Sequence, residues 1–110
     1  MSPPMRADEN WGTIGRLVLA SRDRFPKVEA LVDGDLRLTF PQLSDRIVDA
    51  ARAHIAAGIE KGDKVAIWAP NIAEWVISGL GAVMAGGVLV PLNTRYKGTE
   101  AADIIRRSGA

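Results

Sequence analysis

The sequence predicts an α/β fold organised around one βαβ unit. Apolar runs at residues 64–68 and 88–90, each bounded by Gly, Asp or Pro, predict two short buried strands. Residues 72–85 between them predict a helix with almost no polar side. A strand, a helix and a strand at this spacing predict parallel strands joined by a right-handed crossover. Because the helix has no face for water, we expect it to be covered on both sides.

The elements before this unit follow from a cap and a turn. Thr13 is a suitable N-cap for a first helix that runs to about Arg22. Residues 28–32 and 36–40 then predict two strands, and the Asp33-Gly34 pair between them is a strong local signal for a hairpin. The predicted inward face of the first helix consists of Ile14, Leu17, Val18 and Ser21.

A second, longer helix is predicted after the hairpin. Thr39 precedes Pro41 at its start, and Gly58 is the expected stop. Between these points the inward residues recur with helical spacing, at Leu43, Ile47, Ala50, Ala51 and His54. His54 is the single histidine, and its place on the inward face favours a buried structural role over a role as a ligand or a base.

The helix of the βαβ unit has start and packing signals of its own. Asn71, followed three residues later by Glu74, predicts an N-cap of the capping-box type. Trp68 and Trp75 are expected in the core. Gly79-Leu80-Gly81 lacks the third glycine of a dinucleotide fingerprint, so we expect these small residues to allow close packing against the sheet.

A last helix is predicted from about Thr99 to a C-cap at Gly109. Asp103 and Arg107 are spaced to form an ion pair one turn apart. The predicted inward face consists of Ala101, Ile104, Ile105 and Ser108. In an alternating α/β pattern the next element is a strand, so we expect the sheet to be incomplete at this end.

The amino-acid composition excludes several classes of protein. With 47% hydrophobic and 25% charged residues, the 110-residue chain is globular in composition rather than disordered. Its 14 basic residues are balanced by 13 acidic ones, which gives no reason to expect nucleic acid as a partner. The absence of cysteine excludes a disulfide framework and agrees with a cytoplasmic location, which is our expectation.

The N-terminus and the apolar centre raise the question of membranes. Residues 1–12 predict a flexible start without the apolar core of a signal peptide. Trp11 within this start is either a docking anchor or a partner contact. Residues 75–94 carry no charge and are long enough to cross a bilayer, but Gly and Pro residues interrupt them. We therefore expect no transmembrane segment.

Candidate site residues follow from the parallel strands. Such sheets bind ligands at the carboxyl ends of their strands, which selects residues 68–71 and 93–97. The candidates in the second segment are Asn93, Arg95, Tyr96 and Lys97. Arg95 and Lys97 could hold a phosphate or a carboxylate, and Tyr96 could line an apolar pocket; the alternative is a solvated loop with a basic rim. With one His, no Cys and no Gly-x-Ser-x-Gly, no catalytic residue and no metal ligand is predicted.

Several segments resemble core motifs of the adenylate-forming (acyl-activating) superfamily, which includes the acyl-CoA synthetases. Residues 38–43, Leu-Thr-Phe-Pro-Gln-Leu, are similar to its first core motif, Leu-Thr-Tyr-x-Glu-Leu. Residues 58–67 and 70–75 are similar to the segment that follows. Residues 85–93, Ala-Gly-Gly-Val-Leu-Val-Pro-Leu-Asn, resemble the second core motif, and Thr-Arg-Tyr at 94–96 extends the likeness. The departures are Phe for Tyr, Gln for Glu, and His54 where Leu is common.

The resemblance implies that residues 13–110 are part of an AMP-binding N-terminal subdomain. It implies a ligase that uses ATP and Mg2+ to turn a carboxylic acid into an acyl-adenylate and then transfers the acyl group to CoA. The sequence of residues 90–96 is most similar to that of bacterial fatty-acyl or steroid-side-chain acyl-CoA synthetases. The phosphate loop, metal ligand, ribose-binding Asp and catalytic Lys of the family have no counterpart here, so the chain alone is expected to be catalytically incompetent and to bind no cofactor.

Two alternatives to a ligase fragment stay open at this point. The chain could be a non-catalytic scaffold or interaction module derived from such an enzyme, pairing through exposed strand edges with a missing C-terminal part or with itself. It could also be a truncated product without activity of its own.

Overall fold

The computed structural model describes residues 12–110 of the chain. Residues 1–11, which hold most of the predicted flexible start and Trp11, lie outside the described part. The elements, in order, are α1 (Ile14–Arg24), β1 (Glu29–Asp33), β2 (Leu36–Thr39), α2 (Phe40–Ala56), β3 (Lys64–Ile67), α3 (Ala73–Met84), β4 (Val88–Pro91) and α4 (Gly98–Ser108). β1 and β2 form an antiparallel hairpin, and β3 and β4 form a parallel pair. The predicted α/β class, hairpin and βαβ unit are confirmed.

Helix α1 begins at the predicted cap and lies at the surface. The Thr13 hydroxyl accepts a hydrogen bond from the backbone N–H of Arg16 at 3.1 Å, which satisfies one of the free donors of the first turn. The helix ends at Arg24, slightly beyond the predicted end, and none of its residues is fully buried. Arg22 forms an exposed ion pair with Asp45 of α2, a contact that contributes little to stability in water.

The hairpin turn lies one residue later than the Asp-Gly pair indicates. Asp33 pairs with Leu36 as the last rung of the ladder, so the two central turn residues are Gly34 and Asp35. Gly34 has a φ of +58°, and no non-glycine residue in the described part has a positive φ. A positive φ at the first central position alone is the pattern of a type II′ turn, which requires Gly there. This shift frees the Asp33 side chain for another role.

Helix α2 starts with a complete capping box. The backbone N–H of Gln42 donates to the Thr39 hydroxyl at 3.3 Å, and the backbone N–H of Thr39 donates to the Gln42 side chain at 2.9 Å. Two free donors of the first turn are therefore satisfied reciprocally. The helix buries Ile47 and Ala51, which belong to the predicted inward face, and also Ser44, which does not.

Helix α3 is covered on both sides, as predicted. On one side, a Cβ at Gly79 would lie 3.5 Å from the Leu89 side chain and 3.6 Å from the Ile67 side chain, so this position faces the β3–β4 pair. On the other side, a Cβ at Gly81 would lie only 2.7 Å from Cβ of Ala50 in α2. The expectation that both glycines serve packing against the sheet is therefore wrong for Gly81, which permits a close helix–helix crossing instead.

The predicted cap of α3 is also wrong. The N-cap residue is Ile72, which has no side-chain oxygen, and neither Asn71 nor Glu74 makes the predicted bonds. Instead, the carboxylate of Asp33 accepts a hydrogen bond from the backbone N–H of Ala73 at 2.8 Å. The hairpin turn thus caps a helix that begins forty residues later in the chain.

The single histidine joins the two central helices. His54 is half-buried in α2, and its Nε2 lies 3.1 Å from the backbone oxygen and 3.3 Å from Oγ of Ser78 in α3. This geometry agrees with the predicted structural role.

Helix α4 ends at the predicted glycine and contains the predicted ion pair. Gly109 ends α4 with a φ of +77°, and Asp103 pairs with Arg107 at 3.0 Å as predicted and also with Arg106 at 2.9 Å. Ala101 is the fully buried residue of this helix. No helix in residues 12–110 has both the length and the apolar character needed to cross a bilayer.

Candidate functional site

A cleft of about 420 Å³ lies where the two parallel strands end. β3 ends at Ile67 and β4 ends at Pro91, and the segments that follow them form opposite walls. This is the location at which open parallel sheets bind ligands. The lining residues are Ala69, Pro70, Asn71, Trp75, Pro91, Leu92, Asn93 and Thr94.

Two hydrogen bonds hold these walls together. The indole N–H of Trp68 donates to the backbone oxygen of Asn93 at 3.1 Å, and the backbone N–H of Leu92 donates to the oxygen of Ile67 at 2.9 Å. The indole of Trp68 reaches across the strand ends to make its bond, and the residue remains 48% exposed. The prediction that Trp68 is a core residue is therefore wrong, whereas Trp75 is half-buried as part of the cleft wall.

Asn93 fixes the turn on the β4 side. Its side-chain oxygen accepts from the backbone N–H of Arg95 at 2.9 Å, and its backbone oxygen accepts from the N–H of Tyr96 at 3.0 Å. A side chain that bonds the backbone two residues on is an Asx turn. The amide nitrogen of Asn93 has no hydrogen-bond partner among residues 12–110, so it is available to a ligand.

The cleft offers neutral surface and a few polar groups. Pro70, Trp75 and Leu92 supply apolar walls, and Asn71, Asn93 and Thr94 supply amides and a hydroxyl. No ionisable side chain is among the lining residues. The cleft itself therefore suits an uncharged part of a ligand with one or two hydrogen-bonding groups.

The structure brings one of the four predicted site residues into the cleft. Asn93 lines it, but Arg95, Tyr96 and Lys97 are not among its lining residues. Arg95 and Lys97 are exposed, Tyr96 is half-buried, and neither basic residue pairs with an acidic group within the described part. Their suggested role in holding an anion stays a prediction.

Sequence reasoning missed Trp75, Pro91 and Leu92 as lining residues, whereas Thr94 lies within the selected segment 93–97 but was not among its named candidates. The rule that open parallel sheets bind ligands at the carboxyl ends of their strands (the strand-end rule) points to the loops that follow β3 and β4. Extending the selected segment by one turn into the following helix would have included Trp75. The described residues contain no cluster of three or more His, Cys, Asp or Glu that could hold a metal ion.

Fold and cleft together define an α/β domain with a cleft at the ends of its parallel strands. Residues 19–110 match the family model described as "AMP-binding enzyme". The chain belongs to this AMP-binding enzyme family, and the predicted resemblance to acyl-CoA synthetases is confirmed.

Curated relatives are CoA ligases. The chain is 48% identical over 96 residues to the 7a-methyl-1,5-dioxo-octahydro-1H-inden-4-yl propanoyl:CoA ligase of Rhodococcus jostii (strain RHA1). That match covers 87% of this chain and 18% of the relative. This chain is also 35% identical over 102 residues to the mitochondrial medium-chain acyl-CoA ligase ACSF2 of Homo sapiens. That match covers 91% of this chain and 17% of ACSF2. The chain thus spans about a fifth of the length of the relatives it matches.

Solved structures show the same fold. The N-terminal domain of FACL13 from Mycobacterium tuberculosis superposes with a TM-score of 0.86 at 34% identity, covering 89% of this chain and 25% of that chain. A fatty acyl CoA synthetase from the same organism gives a TM-score of 0.85 at 34% identity, with 89% and 20% covered.

Proposed function

We propose that the chain forms the N-terminal part of an AMP-forming acyl-CoA ligase. In the proposed reaction a carboxylate attacks the α-phosphate of ATP and releases pyrophosphate, and the thiol of CoA then displaces AMP from the acyl-adenylate. The match of residues 19–110 to the AMP-binding family carries this proposal. The CoA-ligase names of the relatives support the reaction type.

The proposed role of this chain within such an enzyme is to form the two walls of the cleft at the strand ends. The βαβ unit fixes the two strand ends, and the bond between Trp68 and Asn93 sets their separation. The residues present do not fit Mg2+ or a nucleoside triphosphate: residues 12–110 contain no metal-ligand cluster, and no charged side chain lines the cleft at the strand ends. We therefore assign no chemical step to these residues.

The proposed substrate is a fatty acid or a ring-bearing side-chain acid. The relatives in Rhodococcus jostii and Mycobacterium tuberculosis are named for an acid with a fused-ring propanoyl group, and ACSF2 is named for medium-chain acyl groups. An uncharged cleft is compatible with either acyl type, so the assay has to include one acid of each type.

The decisive experiment is a hybrid enzyme. The segment of the Rhodococcus ligase that aligns with this chain is replaced by the corresponding residues of this chain, and pyrophosphate release and thioester formation are measured with both acids. We expect the hybrid to be active, and we expect neither the isolated chain nor the ligase without the segment to catalyse acid-dependent exchange between ATP and pyrophosphate. A folded hybrid without activity contradicts the proposed role, and exchange by the isolated chain contradicts its incompetence.

A second candidate is a non-catalytic interaction module. One observation favours it: each sheet in the described part has only two strands, and Val32 and Val88 on these strands are 51% and 47% exposed. Unpaired strand edges with apolar side chains are surfaces for adding another strand. Mixing the chain with the separately expressed remainder of the Rhodococcus ligase distinguishes the two: complex formation with thioester production supports the ligase, and complex formation without it supports the module.

A further inference from the structure

The hairpin bonds to the segment that forms one wall of the cleft at the strand ends. Oδ2 of Asp33 accepts the backbone N–H of Ala73 at 2.8 Å. Ala73 stands between Asn71 and Trp75, which both line the cleft, whereas Asp33 is not a lining residue. The hairpin therefore contacts the wall on the β3 side of the cleft without being part of that cleft.

This bond connects the β3-side wall to another element of the fold. The other hydrogen bonds that residues 69–73 make within the described part stay inside this segment or lead into α3. Ile72, the N-cap residue, has no side-chain oxygen to add one. On the opposite wall, Asn93 is held by its own Asx turn and by the indole of Trp68. Among the hydrogen bonds of the β3-side wall, the one to Asp33 is therefore the bond that fixes the wall against the rest of the chain.

A groove of about 240 Å³ lies between the hairpin and the start of α3. Val32 and Asp33 line it from the hairpin, and Asn71, Ile72 and Trp75 line it from the other side. Asn71 and Trp75 line both this groove and the cleft, so their wall has open space on each side. Such a wall has fewer packing contacts to hold it than a close-packed interior. Movement of the start of α3 toward the hairpin would widen the cleft at the expense of the groove.

We propose that Asp33 is a positioning residue for the cleft. By holding the N–H of Ala73, it sets the distance between the wall that carries Asn71 and Trp75 and the wall that carries Asn93. The inference rests on the proposed function, because it takes the cleft as the place where the ligase binds the uncharged acyl group of its acid. Asp33 touches no substrate and acts through the wall.

The first measurement tests this geometry in the 110-residue chain itself. Wild type and Asp33→Ala are compared by heteronuclear NMR, because the chemical shifts of the folded state do not change through a loss of stability alone. The resonances of Asn93 and Thr94 are expected to shift in Asp33→Ala, since the ring current of Trp75 on the facing wall acts on them according to distance. Asp33→Asn keeps an acceptor oxygen and is expected to return these resonances toward their wild-type positions.

Asp35→Ala is the matched control. Asp35 belongs to the same turn, is exposed, and forms no ion pair within the described part of the chain. The control thus removes the same charge from the same turn without removing the bond to Ala73. It is expected to leave the resonances of Asn93 and Thr94 in place.

The second measurement places the same variants in the hybrid ligase, under conditions in which circular dichroism shows each variant folded. In Asp33→Ala the KM for the acid is expected to rise about threefold to tenfold, while kcat and the KM for ATP change less than about twofold. A variant that is merely less stable loses active enzyme, which lowers kcat and leaves KM unchanged. The KM for the acid is expected to return to within about twofold of wild type in Asp33→Asn.

The two measurements separate failure of this inference from failure of the proposed function. Unmoved resonances of Asn93 and Thr94 in Asp33→Ala, or equal effects of Asp33→Ala and Asp35→Ala, overturn the positioning role. An active hybrid whose KM for the acid does not change in Asp33→Ala overturns it as well and leaves the proposed function intact. A folded wild-type hybrid without activity contradicts the proposed function, and the NMR comparison then decides alone whether Asp33 positions the wall.

Discussion

Replacing Asp33 with Ala removes the side-chain bond that starts helix α3. The Asp33 carboxylate accepts from the backbone N–H of Ala73 at 2.8 Å, and no other side chain caps this helix in the described structure. Ala73 is 1% exposed, so its N–H has no easy access to water once the carboxylate is gone. Losing an N-cap costs about 0.5–2 kcal/mol, and orphaning a buried donor costs about 1–3 kcal/mol. Because both figures describe the same bond, we expect a loss of about 2 kcal/mol in the free energy of unfolding.

Urea denaturation followed by far-UV circular dichroism measures this loss. With the slope typical of a small domain, the midpoint is expected to fall by roughly 1 M. Asp33→Asn keeps an acceptor oxygen at the same position and is expected to lose less than half as much. Asn71→Ala is the matched control: Asn71 is the cap that the local sequence indicates, but it makes no such bond in the structure. Its expected cost is below about 0.5 kcal/mol, the usual size for an exposed residue without partners.

If Asn71→Ala destabilises the chain as much as Asp33→Ala does, the start of α3 depends on its own sequence as much as on the hairpin, and the Asp33 carboxylate is not its sole side-chain cap. A full loss in Asp33→Asn would equally contradict the view that the oxygen acceptor at this position is what matters.

Four further substitutions test the packing and the caps by the same denaturation assay. Gly81→Ala is expected to lower the free energy of unfolding by about 1–2 kcal/mol, because its methyl group would lie 2.7 Å from Cβ of Ala50. Gly79→Ala meets only ordinary contacts and is expected to raise it by about 0.5–1 kcal/mol. A change of the same sign in both variants contradicts the close helix crossing at Gly81. Thr39→Ala is expected to cost about 1 kcal/mol through loss of the capping box. Ser44→Ala is expected to gain about 1 kcal/mol by removing an unpaired hydroxyl, and a loss there would show a bond that the structure lacks.

The sequence predicts those features of the fold that depend on neighbouring residues. The start of α2 after Thr39 depends only on residues at its own N-terminus, and the parallel pair follows from two apolar runs around an apolar helix. The cap of α3 was predicted wrongly because the local pattern at Asn71 is satisfactory, but the carboxylate that is used comes from a hairpin elsewhere in the chain. A contact of that kind depends on how two elements dock, which no local pattern encodes.

The position of the cleft could be predicted from the sequence, but several of its lining residues could not. The strand-end rule places the cleft correctly, and Asn93 is part of it. Trp68 was assigned to the core because large aromatic residues are usually buried, yet its indole N–H bonds a backbone oxygen at the rim, and the residue stays half exposed. Arg95 and Lys97 belong to the same loop but do not line the cleft, because the loop sequence alone does not determine which of its side chains face inward.

The two-strand parallel pair sets an alternating pattern of amide hydrogen exchange. Val88 and Leu92 direct their N–H groups to oxygens of Asp63 and Ile67, so these amides are shielded. Leu89, between them, directs its N–H to the opposite side, where no strand of the described part lies beside β4. Neighbouring positions along one strand should therefore exchange at very different rates. If another polypeptide adds a third strand beside β4, the amides that point away from β3 should exchange more slowly.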